Sequence, residues 1–346
     1  MNNSDHIALY RKYRPKVFAE VLGQDHIVTA LEKSIANAKV SHAYLFSGGR
    51  GTGKTTIARL FAQTLGVHEE DVYEMDAASN RGIDDIRQLR EAVRTLPFTS
   101  KYKVYILDEV HMLTKDSWGA LLKTLEEPPK HVIFILATTD VDKVPDTIIS
   151  RCEVYTFHQP TEHMLAEHMH TIAKKEKVKL DSGVAELIAL AGDHSYRDAI
   201  GIFQKLITSS RDTTISIQEA EEIIGIPSAK LVRALCSALR DNDISGALAV
   251  TYDIEKNGDD IQIFLKRFLH VFRTILFLRY AKGAVLPFDI SKEDVDFARE
   301  LAEKKGSVFT STSLVLLIEA YQNTSNSPVP ILPLEIALME ILKEEE

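Results

Sequence analysis

At 346 residues with a net charge of −9, the chain has length for about two or three domains and is too acidic for indiscriminate nucleic-acid binding, although a local basic surface stays open. Cys152 and Cys236 are the only cysteines, which excludes a disulfide framework and any multi-cysteine zinc site. The start, Met1-Asn2-Asn3-Ser4-Asp5-His6, lacks the basic-then-apolar pattern of a secretory signal, and the most apolar long stretch, 261–281, carries Lys266, Arg267, His270 and Arg273 around its circumference, as a membrane span would not; a cytoplasmic protein is expected.

The opening segment gathers aromatics and cations in Tyr10-Arg11-Lys12-Tyr13-Arg14-Pro15-Lys16, a set that suits either an adenine ring with its phosphates or an arm tied to the surface. A helix is predicted over 25–38 and a short buried strand at Ala43-Tyr44-Leu45-Phe46. The strand runs into Gly48-Gly49-Arg50-Gly51-Thr52-Gly53-Lys54-Thr55, which fits G-x-x-x-x-G-K-[ST]. Gly48, Gly51 and Gly53 let backbone N–H groups turn inward on phosphate oxygens, Lys54 reaches the β- and γ-phosphates, and the Thr55 hydroxyl can ligate Mg²⁺. From Thr56 on, Ile57, Leu60, Phe61 and Leu65 recur at helical spacing, so the helix N-terminus also points its dipole at the phosphates.

Val72-Tyr73-Glu74-Met75 reads as a second strand. A helix is predicted from Ile83 to about Thr95, with Arg87, Arg90 and Arg94 sharing a stripe. That stripe suits either nucleic-acid phosphates or a solvated face with Arg87 paired to Glu91. Lys103-Val104-Tyr105-Ile106-Leu107-Asp108-Glu109 is an apolar strand that stops on two carboxylates. Downstream of a phosphate loop such a pair places Asp108 on Mg²⁺ and Glu109 on the attacking water. His111 has no partner ligand at a plausible spacing and reads as a structural donor. Asp116-Ser117 is predicted to cap a helix carrying Trp118, Leu121, Leu122 and Leu125. Val132-Ile133-Phe134-Ile135-Leu136 reads as a central strand that delivers Ala137-Thr138-Thr139 to the same edge as Asp108. There the Thr138 hydroxyl either touches the water or γ-phosphate, or satisfies loop backbone. Val154-Tyr155-Thr156-Phe157 is a last strand before Pro160.

Beyond Thr161 strands largely disappear. Helices are predicted over 162–176 and 182–191, then one capped by Asp193-His194-Ser195 with Arg197 in its first turn, and a short one over 217–224 ending at Gly225-Ile226-Pro227. The remainder reads as four or five helices, the longest over 261–279. Its apolar surface calls for several neighbours, partly in a private core and partly in an assembly surface.

The segments Tyr10-Arg11-Lys12-Tyr13-Arg14-Pro15 with Gly23-Gln24, Gly48 to Thr55, Asp76-Ala77-Ala78-Ser79, and Leu107-Asp108-Glu109-Val110-His111-Met112-Leu113 occur in this order. Leu121-Leu122-Lys123-Thr124-Leu125-Glu126-Glu127-Pro128-Pro129, Ala137-Thr138-Thr139, Ser150-Arg151-Cys152 and Ser195-Tyr196-Arg197-Asp198-Ala199 follow. In these motifs the chain resembles the AAA+ clamp-loader ATPases, in particular their bacterial gamma/tau branch. The resemblance implies an α/β AAA+ parallel-sheet nucleotide-binding domain over 1–160, a small helical lid over 161–225 and an all-α collar for oligomerisation over 226–346. It implies ATP and Mg²⁺ held by Tyr10, Gly48, Gly51, Gly53, Lys54, Thr55, Thr56, Asp108 and Arg197, and a catalytic set of Lys54, Glu109, Thr138, Arg151 and Arg197. Thr138 takes the position of the first γ-phosphate sensor and Arg197 that of the second. Arg151 takes that of an arginine finger acting on the neighbouring subunit's ATP. Arg81, Arg87, Arg90 and Arg94 fall on the DNA-facing segment. The implied partners are delta and delta-prime subunits, further gamma/tau copies, the sliding clamp and primer-template DNA, with no membrane.

The chain departs from the resemblance in one place. Thr64-Leu65-Gly66-Val67-His68-Glu69-Glu70-Asp71 bridges the position where relatives carry a four-cysteine zinc module, so no zinc is expected. The chain also stops just after the collar, as expected of a gamma-type product or a truncated one. The competing readings are a delta-prime-like scaffold gated by nucleotide, which the intact Lys54, Thr55, Asp108 and Glu109 disfavour, and a small-molecule kinase, for which no second-substrate pocket is evident.

Overall fold

The computed structural model of the protein describes residues 8–343 apart from 211, 226, 282–291 and 304–307, so Ile226 at the expected boundary lies outside the described residues. The chain divides into two compact units, one of 1–161 with 194–198, the other of 162–193 with 199–346. The stretches expected as separate lid and collar share the second unit.

The first unit contains α1 (Leu9–Lys12), α2 (Asp25–Ala36), α3 (Lys54–Thr64), α4 (Ile83–Val93), α5 (Lys115–Glu126) and α6 (Asp146–Ile149). Its strands are β1 (Ala43–Ser47), β2 (Val72–Asp76), β3 (Lys103–Asp108), β4 (Val132–Thr138) and β5 (Glu153–Thr156), all parallel, in the order β2-β3-β4-β1-β5. Every residue of β1 and β4 is buried, because a parallel strand covered by helices on both sides has no wet face. Successive side chains point to opposite faces, which splits the strands between two cores. Leu45, Leu107, Phe134 and Leu136 pack with Ile86, Leu89, Trp118 and Leu121 of α4 and α5. Tyr44, Phe46, Ile106 and Ile135 pack with Ile27, Leu31, Ile57 and Phe61 of α2 and α3. The result is a three-layer sandwich in which β1, β3 and β4 end side by side, so the segments following Ser47, Asp108 and Thr138 meet at one sheet edge.

One helix start differs from expectation. Thr114, not Asp116-Ser117, caps α5, its hydroxyl accepting from Ser117 N at 3.3 Å. Ser117 is buried one turn further in and its hydroxyl donates to Arg81 O at 2.8 Å. Either Thr114 or Asp116 has the oxygen an N-cap needs; the docking of Ser117 onto Arg81 settles which one is used.

Just before β2 the buried Asp71 carboxylate accepts from the backbone N–H groups of Phe98, Thr99 and Ser100 at 2.6, 3.0 and 2.9 Å. Burial alone pushes its pKa up, and the hydrogen bonds from this loop overcome that and hold it well below the usual carboxylate range. With the folded-state pKa the lower one, this stabilisation is complete above the unfolded value of about 3.9 and fades as pH falls below it. Asp71→Ala is expected to cost about 1–3 kcal/mol at pH 7, since backbone donors lose their acceptor. Urea midpoints should show the gap between variant and wild type shrinking steadily below about pH 4.

The second unit is helical. It contains α7 (Glu162–Glu176), α8 (Val184–Ala191), α9 (Tyr196–Ser209), whose first turn counts with the first unit, and α10 (Ile217–Ile224). A two-residue parallel pair, β6 (Lys179–Leu180) with β7 (Thr214–Ile215), lies among them. Among the described residues six helices follow rather than four or five: α11 (Ala229–Arg240), α12 (Ile244–Asn257), α13 (Ile261–Tyr280), α14 (Lys292–Ala302), α15 (Ser311–Thr324) and α16 (Leu332–Ile341). Asp260 caps α13 by accepting from Gln262 N and Ile263 N, and Phe264, Phe268, Phe272 and Ile275 bury one side of it. The cations that interrupt its apolar pattern are partnered: Lys266 donates to Leu190 O and Asp193, and Arg267 to Glu221 and Pro227 O. Among the described residues no helix is long and apolar enough to cross a membrane.

Candidate nucleotide site

The phosphate loop leaves β1 at Ser47 and enters α3 at Lys54. Gly48 and Gly51 are required by shape as well as by backbone conformation. Gly48 has φ +148° and a Cβ there would lie 2.7 Å from Phe157 O. Gly51 has φ +71° and a Cβ there would overlap the Ser195 hydroxyl. Gly53, also at positive φ, hands over to the helix, with Thr55 and Thr56 in its first turn. The Lys54 ammonium is buried and donates to Gly48 O at 2.7 Å and Gly49 O at 2.8 Å. Burial lowers its pKa, while the nearby Glu109 and Asp108 carboxylates raise it.

Thr55 Oγ1 donates to Asp108 Oδ2 at 2.7 Å, so hydroxyl and carboxylate converge on one point. The other oxygen, Asp108 Oδ1, accepts from Glu109 N at 3.0 Å. Glu109 has φ +49°, in the left-handed region, which costs roughly 1–2 kcal/mol for a residue with a Cβ. Its Oε2 accepts from Thr139 Oγ1 at 2.9 Å, and His111 Nδ1 lies 3.4 Å from the same oxygen. Thr138, expected at the γ-phosphate, has its hydroxyl fully buried, donating to Asp140 O and accepting from Asp140 N, each at 3.0 Å. The Thr138 hydroxyl thus satisfies loop backbone, and Thr139 is the threonine that reaches Glu109.

Arg197, in the first turn of α9, lies over the Tyr10 ring with its guanidinium carbon 5.1 Å from the centroid. Ser195 caps that turn, accepting from Asp198 N at 3.2 Å. Arg151 lies elsewhere. It precedes β5, whose Glu153 is level with Tyr44 near the start of β1, whereas the phosphate loop follows the other end of β1. Its guanidinium donates to Thr147 O at 2.6 Å and to Glu126 at 2.8 Å. On α4, Arg87 pairs with Asp84 at 2.9 Å rather than with Glu91, and this pair is exposed. Arg81 and Arg94 are exposed and Arg90 is half-buried. Among the described residues no cluster of three or more His, Cys, Asp or Glu side chains forms a metal-ligand group.

The family description "DNA polymerase III, delta subunit" matches residues 23–82 and 67–161, and "DNA polymerase III subunits gamma and tau domain III" matches residues 215–345. The chain is 36% identical over 286 residues to the DNA polymerase III subunit gamma of Buchnera aphidicola subsp. Acyrthosiphon pisum, covering 76% of this chain and 79% of that one. The chain belongs to the DNA polymerase III gamma/tau family. It is also 37% identical to the DNA polymerase III subunit tau of Bacillus subtilis over 96% of this chain and 63% of that one. With the gamma/tau subunit of Mycoplasma genitalium the identity is 38% over 80% of this chain and 50% of that one. The chain thus spans between half and two thirds of the length of these two relatives. Its fold is AAA+: the RuvB Holliday junction branch migration motor of Thermotoga maritima superposes with a TM-score of 0.52 at 22% identity, covering 66% of this chain and 79% of that one.

In this gamma/tau chain, sequence reasoning passed over Thr139 and the contacts of His111, and it noted the cations of the amino-terminal arm without placing Arg59 and Arg197 near them. Burial, then the charges of Arg59, Arg197 and Arg11, hold the Arg14 guanidinium below its ordinary pKa, with Glu74 opposing. Only the repeated Arg in the arm hinted at this. Gln24, quoted for its place in a motif, is buried and grips the His158 backbone, donating to its carbonyl at 2.7 Å and accepting from its N–H at 3.1 Å.

Proposed function

We propose that this chain is an ATP-hydrolysing motor subunit of a bacterial clamp loader, working in the cytoplasm with delta and delta-prime subunits and further gamma/tau copies. In this reading, ATP binding and hydrolysis drive loading of the sliding clamp onto primer-template DNA. The observation that carries the proposal is the convergence of Lys54, of Thr55 bonded to Asp108, and of Glu109 bonded to Thr139 at one sheet edge, behind a loop in which Gly48 and Gly51 leave no room for a Cβ.

The phosphates lie against the loop N–H groups and the Lys54 ammonium, with Arg197 beside Tyr10 as a second cation. Thr55 and Asp108 would hold Mg²⁺, which would neutralise charge on the phosphate oxygens. Glu109 takes the proton of the attacking water, Thr139 links that carboxylate to the end of β4, and Thr138 senses the γ-phosphate. Arg151 is the finger for a neighbouring protomer, at the sheet edge remote from its own loop. Arg81, Arg87, Arg90 and Arg94 contact DNA phosphates, which positions a duplex without reading its sequence. The exposed Arg87–Asp84 pair is worth at most about 1 kcal/mol, so it yields readily to a phosphate. Val315 and Ile318 of α15 and Ile336 and Met339 of α16 are large apolar side chains left exposed, and other subunits cover them.

The test is ATP turnover by the chain alone, then assembled with delta-type and delta-prime-type subunits, then with clamp and primed DNA. Turnover should rise at each step, and Glu109→Gln should bind Mg-ATP but turn it over at least a hundredfold more slowly, at the low end of what a positioned base contributes (about 10²–10⁴). Binding without assembly-dependent turnover would instead support the nucleotide-gated scaffold.

A further inference from the structure

We propose that His111 is the positioning residue that aims the Glu109 carboxylate, its Nδ1–H bonded to Thr138 and its ring edge set against Glu109 Oε2; this rests on the reading of Glu109 as the base. The argument is an accounting of protons. A hydroxyl has one donor and two acceptor sites. Thr138 Oγ1 is fully buried, spends its proton on Asp140 O at 3.0 Å and accepts from Asp140 N at 3.0 Å. One acceptor site remains, and His111 Nδ1 lies 3.1 Å from it. Only a protonated Nδ1 satisfies that contact, so the bond fixes the tautomer.

The same Nδ1–H faces Glu109 Oε2 at 3.4 Å, the oxygen that also accepts from Thr139 Oγ1 at 2.9 Å. Thr139 thus holds this oxygen by a hydrogen bond, and the imidazole, anchored on Thr138, borders it. Glu109 Oε1 takes no hydrogen bond from the described residues and is the oxygen left to receive a proton. Without the imidazole, Oε2 would keep only the Thr139 hydroxyl, and the carboxylate would be free to turn about its last bond. The imidazole also joins two chain segments: it stands in the 3-10 turn Val110–Met112 that follows Glu109 and touches the last residue of β4. A shift in the Thr138–Asp140 loop is thus conveyed to the base. The left-handed Glu109 backbone keeps the other end of the carboxylate's stem fixed.

The variants separate the two ring nitrogens. In His111→Asn the amide nitrogen occupies the place of Nδ1, and in His111→Gln that of Nε2. In the assembled complex with Mg-ATP, His111→Gln and His111→Ala should lower single-turnover hydrolysis roughly ten- to a hundredfold, the scale of a misaimed catalytic group, with nucleotide affinity changed less than about twofold. His111→Asn should restore the rate to within about threefold of wild type. In a Glu109→Gln background, His111→Gln should cause no further loss, because residues acting through one another are not additive. Wild-type turnover in His111→Gln, or a further loss in that background, overturns the inference. Equal damage by Asn and Gln to binding as well as turnover marks a role in the fold and also overturns it. If Glu109→Gln itself keeps turnover, the reading of the base fails first and this inference falls with it.

Discussion

Arg151→Ala is expected to lower ATP turnover of the assembled complex by about 10³–10⁵, the worth of an arginine finger, while leaving nucleotide affinity and the slow turnover of the isolated chain unchanged. Sheet geometry is the reason for the split. Glu153 pairs with Tyr44 and Thr156 with Ser47, so Arg151 lies at the edge where β1 begins and the phosphate loop at the edge where it ends. Strand β1 (Ala43–Ser47) alone separates the two by about 13 Å, at roughly 3.3 Å per residue. The guanidinium is also turned to Glu126 and Thr147 O. Its ion pair with Glu126 leaves the side chains 34% and 45% exposed, and a pair so wet is worth at most about 1 kcal/mol. A finger lowers the barrier by about 4–7 kcal/mol, so giving up Glu126 costs far less than Arg151 contributes at a neighbour's transition state. Turnover measured with and without the partner subunits decides the matter. An equal fall in the isolated chain, or no fall in the assembly, would remove Arg151 from the interface.

The phosphate loop was legible because one pattern, Gly48 to Thr55, stood between an apolar run and a helical period, and each of the three constrains the others. The central strand was legible for a related reason: Val132 to Leu136 admits no polar residue, as suits a strand buried on both faces, and it is β-branched and too short for a helix. What escaped depends on where an element stops. Thr138 and Thr139 are chemically identical, and the last residue of β4 points inward while the next one points at Glu109; no local signal separates them. Thr114 and Asp116 are both able caps, and tertiary contact at Arg81 O chose between them. Strand order is likewise absent from local sequence, yet the placement of Arg151 relative to Lys54 follows from it. The apolar pattern of α13 was read correctly as demanding neighbours, but whether Lys266 and Arg267 were wet or partnered required the carbonyls of Leu190 and Pro227 to be in place.

Lys54→Ala is expected to weaken Mg-ATP binding by about 30- to 1,000-fold and to abolish measurable turnover, with the chain still folded. The ammonium has three N–H donors and no acceptor. Two are committed to Gly48 O and Gly49 O, which hold the side chain along the loop, and the third remains for a phosphate oxygen. A charge-assisted hydrogen bond is worth about 1.5–3 kcal/mol, and losing the cation's attraction to a triphosphate brings the total to roughly 2–4 kcal/mol at tenfold per 1.4 kcal/mol. Stability should respond differently. Burial disfavours the charged form of Lys54, as its lowered pKa records, so alanine relieves a desolvation cost even as two carbonyls lose a donor. These effects oppose one another, and the thermal midpoint should move by only a few degrees. Lys54→Arg is expected to fail as well, because the longer planar guanidinium cannot keep both loop carbonyls and still present a point charge. Calorimetric titration of Mg-ATP alongside a melting curve separates the outcomes. Near-wild-type affinity in Lys54→Ala would mean that the loop's backbone N–H groups hold the phosphates alone, and the role given to the lysine would have to be withdrawn.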